Sequence, residues 1–75
     1  MKNSTYLLLS LRLFIRDKVE GGKSVILKIE NILSGKKEAS NDDILLMVKD
    51  LCRRYNIPIQ NVFNSAKEMR DNNDV

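Results

Sequence analysis

From Ile44 to Tyr55 the apolar residues Ile44, Met47, Val48, Leu51, Cys52 and Tyr55 stand three and four positions apart, a spacing that confines the segment to an amphipathic helix with one buried stripe. Its start is equally constrained. Ser40, Asn41, Asp42 and Asp43 offer side-chain oxygens to the free N–H groups of a first helical turn, and the carboxylates meet the positive helix end. Pro58 sets the stop: it lacks an N–H, disfavours helical geometry at Ile57 and suits the first turn of a new helix. The helix must therefore end near Asn56, and another must follow almost at once. That last helix carries Ile59, Val62, Phe63, Ala66 and Met69, whereas residues 71–75 show no apolar period and read as a flexible tail.

The first half follows the same logic. Leu7, Leu8, Leu11, Phe14 and Ile15 recur at helical spacing behind Ser4, whose hydroxyl can act as a cap, and predict a helix over residues 4–17. Leu9 and Leu13 widen its apolar face, so this helix either sits between two others or presents surface to a partner. Gly21 and Gly22 end the pattern in a turn over residues 18–22. A second helix starts at Lys23 or Ser24 and sets Val25, Ile26, Ile29, Ile32 and Leu33 on one side. It stops at Ser34 and Gly35, with Gly35 as a left-handed cap. Its β-branched residues would suit a strand, but polar Lys28, Glu30 and Asn31 do not alternate with the apolar positions. Residues 36–39 form a polar connection. The expected fold is all-α, a small antiparallel bundle of three to four helices in a single domain of residues 1–70.

A chain of 75 residues buries only about 60% of its unfolded surface, and burial against conformational entropy comes out near zero at this size. Self-association or a bound partner would add to that margin, so a homo-oligomer is compatible with the sequence. Apolar residues at 43% and charged residues at 31% fit a compact globular chain and argue against an intrinsically disordered one. The most apolar stretch, residues 6–15, is interrupted by Arg12 and lacks a following small-x-small cleavage site. It is also well short of the roughly 20 residues a membrane span requires. With one cysteine, Cys52, and no histidine, neither a disulfide framework nor an imidazole metal site can form, which points to a reducing, cytoplasmic location.

Without histidine no Ser-His-Asp or Cys-His arrangement exists, and Gly21, Gly22 and Gly35 have the wrong spacing for a phosphate loop. Cys52 lies on the apolar stripe and reads as a small core residue. Asp42 and Asp43 read as capping residues, and residues 38–43 lack the ligand spacing of a calcium loop. The expectation is a protein that is not an enzyme, with no cofactor, metal or catalytic residue.

The net charge of +3 arises from 13 basic and 10 acidic residues, and Asp17, Glu30, Asp50 and Glu68 are interspersed among the cations. A nucleic-acid partner, which wants positive charge concentrated on one face, therefore ranks behind a protein partner. The candidate partner-binding residues are Arg12 and Arg16, one turn apart, Lys36 and Lys37 in the connection, and Arg53 and Arg54, grouped with Lys49. Asp50 lies four residues before Arg54, so part of that group should be self-paired.

Two resemblances bear on function. The segment LCRRYNIPIQNVF, residues 51–63, resembles the later part of small phage-repressor-like DNA-binding domains, although residues 23–39 show no helix-turn-helix ahead of it. Over most of the chain, the helix order, the GKKEAS connection and the pattern ILLMVKDLCRRYNIPIQNVFNSAKE resemble pediocin-type (enterocin A-like) bacteriocin immunity proteins, with residues 26–37 and 44–69 in the matching places. Many members carry a longer C-terminal segment that influences which bacteriocin is recognised. The resemblance implies a small helical bundle that protects a producer cell by binding a membrane permease with its bound bacteriocin, from the cytoplasmic side and peripheral to the inner face of the membrane. A small phage- or plasmid-type regulatory module that holds another protein is the alternative, and a DNA-binding regulator the next.

Overall fold

The computed structural model describes residues 3–16 and 22–73. Four helices fill these segments: α1 (Asn3–Arg16), α2 (Gly22–Leu33), α3 (Asn41–Arg54) and α4 (Ile59–Asn73). The described residues contain no strand, and the all-α expectation stands.

The punctuation of α3 follows its sequence closely. Ser40 is the N-cap in extended geometry; its hydroxyl accepts from the Asp43 N–H at 3.1 Å, and the Asp43 carboxylate accepts from the Ser40 N–H at 3.3 Å. This reciprocal capping box contributes about 1 kcal/mol by satisfying two otherwise orphaned donors. At the other end the Ile57 N–H donates to the Cys52 carbonyl at 2.9 Å and the Asn56 N–H to that of Arg53 at 3.4 Å. Asn56 closes this Schellman turn at φ 55, a left-handed conformation that asparagine tolerates better than most residues. Ile57 is thereby folded back and buried, and α4 starts directly after Pro58.

Three boundaries differ from the sequence reading. The first helix begins at Asn3, so Ser4 lies inside it and is not its cap. The Ser4 hydroxyl, almost fully buried, instead donates to Asn41 Oδ1 at 2.7 Å, because a buried polar group needs a partner wherever it sits. The second helix begins at Gly22, ahead of Lys23; residues 17–21 of the expected helix end and turn lie outside the described residues. The last helix continues through Asp71 to Asn73, into the stretch read as tail. Exposed turns need no apolar period, since an existing helix extends with one hydrogen bond per added residue.

Side-chain contacts fix the directions. Arg12 of α1 meets Glu30 of α2 at 3.2 Å, while Ser4, Thr5 and Leu8 border one depression with Ile32 and Leu33, so α2 runs antiparallel to α1. Ser10 Oγ donates to the Val62 carbonyl of α4 at 3.0 Å, and Tyr6 and Leu7 share a cleft with Ala66 and Arg70, so α4 is antiparallel to α1 as well. The Ser4 to Asn41 bond sets the starts of α1 and α3 at the same end.

The wide apolar face of α1 now has its explanation: α1 packs on α2, α3 and α4, and α3 also packs on α4. Leu8, Leu11 and Ile15 are fully buried along it and meet Ile29, Val48 and Val62 in a shared core. Among the described residues, the backbone of α2 comes close only to that of α1.

Candidate functional site

Five of the six basic residues singled out from sequence fall at two ends of the bundle, and Arg12 lies along α1 facing α2. Arg16 ends α1 and Arg53 and Arg54 end α3, and because these helices start together their last turns share one end. Cations there also complement the negative helix termini. Lys36 and Lys37 belong to the exposed connection at the opposite end, where Lys37 borders the depression between the starts of α1 and α3. A single surface cannot contain all six.

Two of the six are already engaged. Arg12 pairs with Glu30 across α1 and α2, and Arg54 Nη2 lies 3.3 Å from Asp50 Oδ2 one turn back, as its spacing foretells. Both pairs are well exposed, so each contributes at most about 1 kcal/mol. Arg16, Lys36, Lys37 and Arg53 make no ion pair among the described residues. Arg16 and Arg53 thus come to one end with no ion pair among the described residues.

A depression of about 930 Å³ lies at the other end, between Ser4, Leu8, Ile32, Leu33, the connection and Ile44. Its hydroxyls and amides already serve the fold: Ser4 bonds Asn41, Ser40 and Asp43 cap each other, and the Lys37 N–H donates to the Asn31 carbonyl at 3.1 Å. Lys37, Glu38 and Asp43 all line it. With these groups serving the fold and both charge signs on its rim, it favours no one sign of ligand. The described residues hold no group of three or more His, Cys, Asp or Glu side chains that could bind a metal. Nor is any described helix long and apolar enough to cross a membrane.

Cys52 is a core residue, 4% exposed, and burial pushes its thiol pKa up because the thiolate would lose hydration. Alkylation of the native protein is therefore expected to be slow and to become fast on unfolding; rapid labelling of the folded chain would contradict this placement. The linked effect on stability has a definite sign. The unfolded chain releases this proton first, so stability from this group is intact below the ordinary thiol pKa of about 8.5 and declines as pH rises above it. Urea melts of the wild type and Cys52→Ala, compared at neutral and alkaline pH, should show the difference between them shrinking as pH rises.

Sequence reasoning missed the fixed roles of two serines on α1. Ser10, 0% exposed, breaks the leucine run, and a lone hydroxyl inside a wide apolar face signals a cross-helix hydrogen bond. It missed Asn56 too, where an asparagine followed by an apolar residue and Pro58 carries the signature of a left-handed helix end. Comparison of the chain with protein-family models, with curated proteins and with solved structures finds no match.

Proposed function

We propose that this chain acts by binding, with no chemical step, as a bacteriocin immunity protein that shields its producer by engaging a membrane permease and its bound toxin from the cytoplasmic side. The supporting observation is the basic end, where the last turns of α1 and α3 present Arg16 and Arg53, neither in an ion pair among the described residues. The inner leaflet of a membrane is anionic and attracts cations by about 1 kcal/mol each near its surface. An end so charged would orient the bundle toward a membrane-embedded complex. The up-down helical bundle is also the architecture that the resemblance to immunity proteins implies.

A second reading, a regulatory module that holds another protein, is favoured by Leu13. It stays 41% exposed beside Arg16, although packing consumes most of the apolar face of α1.

Expression in a bacteriocin-sensitive strain separates the two. The immunity reading expects survival to rise against at least one peptide of a panel, and Arg16→Glu with Arg53→Glu to abolish that protection while helicity and thermal midpoint are kept. Unchanged killing across the panel would exclude it in favour of the regulatory module.

A further inference from the structure

The antiparallel pair α1 and α4 leaves a cleft of about 250 Å³ between Tyr6, Leu7, Phe63, Ala66, Lys67 and Arg70. That is below the roughly 300 Å³ at which small-molecule sites begin, and it suits one large side chain anchored from a partner. The walls are aromatic and aliphatic, and the rim is cationic. Lys67 is exposed and makes no ion pair among the described residues, while Arg70 Nε lies 3.6 Å from Asp71 Oδ1, too long for a hydrogen bond.

Tyr6 adds an independent observation. The residue is only 4% exposed, yet its hydroxyl has no hydrogen-bond partner among the described residues. No buried side-chain oxygen or nitrogen among those residues lacks a partner, so this hydroxyl is not sealed from solvent. Tyr6, the residue that carries this hydroxyl, lines the cleft. A phenol donor and two cations around an apolar slot form a site for a carboxylate attached to a greasy group.

We propose that this cleft docks an acidic amphipathic segment of a partner protein: an apolar side chain enters between Tyr6, Leu7, Phe63 and Ala66, and a neighbouring carboxylate is held by Lys67, Arg70 and the Tyr6 hydroxyl. The cleft lies away from the end formed by Arg16 and Arg53, and the inference does not rest on the immunity reading. A carboxylate in this position meets charge of opposite sign, which sets the acidic character of the occupant.

The test uses the full chain, isotope-labelled, titrated with a synthetic amphipathic helical peptide bearing Leu and Phe on one face flanked by Glu. The same peptide with Gln for Glu, and phosphatidylglycerol vesicles, form the comparison arms. Shifts should centre on the amides of the six cleft residues, with the Gln peptide bound about tenfold more weakly. Lys67→Glu, at an exposed position, should weaken the Glu peptide by about tenfold and leave the Gln peptide unaffected. Tyr6→Phe keeps the ring and should weaken the Glu peptide alone by about threefold to tenfold. Equal binding of both peptides, shifts centred elsewhere, absence of binding at millimolar peptide, or a response of the cleft to vesicles but not to peptide would each overturn the proposal.

Discussion

Leu11→Ala is expected to lower the unfolding free energy by about 3 kcal/mol, within the range of roughly 2 to 5 kcal/mol seen when a fully buried leucine is truncated. Leu11 is 0% exposed and sits on the one helix that all the others use as a packing surface. The lost methyl groups leave a void that α2, α3 and α4 cannot all collapse into, because each is held on a different side of α1. A domain of this size has a total stability of roughly 4 to 11 kcal/mol, so this single truncation removes a large share of it. Urea denaturation followed by circular dichroism measures the loss. Leu46→Ala is the matched control: Leu46 is 65% exposed, and its truncation should stay within about 0.5 kcal/mol. Equal losses at the two positions would mean that α1 is not the centre of the core.

Ser10→Leu is the second large effect, with an expected loss of about 2 to 4 kcal/mol. Its side chain touches α4 closely enough to donate to the Val62 carbonyl at 3.0 Å, and there is no exposed surface into which a longer side chain could turn. Leucine would add volume where α1 and α4 meet and would also remove the hydrogen bond. Ser10→Ala isolates the second contribution and should cost about 1 kcal/mol, since the Val62 carbonyl keeps its place in the backbone ladder of α4. A neutral Ser10→Leu would show that the two helices are not in close contact there. The leucine-rich sequence around Ser10 makes the experiment informative, because by hydropathy alone the substitution looks stabilising.

What was legible in the sequence was whatever a local pattern encodes. The Ile44, Val48, Leu51 and Cys52 stripe is buried, Ser40 and Asp43 cap α3 and Gly35 takes φ 83 at the end of α2. Arg54 pairs with Asp50 at the four-residue spacing. Pairings between segments were not legible. Nothing in the neighbourhood of Ser4 says that its hydroxyl will meet Asn41, 37 positions away, and its local context reads equally well as a cap. The candidate site divides along the same line. Six cations are visible in the sequence, but whether they converge depends on helix directions, and the up-down order sends Lys36 and Lys37 to one end and Arg16 and Arg53 to the other. The cleft at Tyr6 is wholly a product of the α1 and α4 pairing, with its residues drawn from both ends of the chain.

Because α2 rests its backbone, among the described residues, on α1 alone, the molecule is less cooperative than a bundle in which each helix has two neighbours. The Arg12 to Glu30 pair, half exposed, adds little to that attachment. Release of α2 leaves α1, α3 and α4 still in mutual contact, so a partly open form, with Val25 and Ile29 turned outward, lies below global unfolding on the free-energy scale. In amide exchange this places α2 in a faster class than α1, and it marks the side of α1 now covered by α2 as the apolar surface that the chain can expose without coming apart.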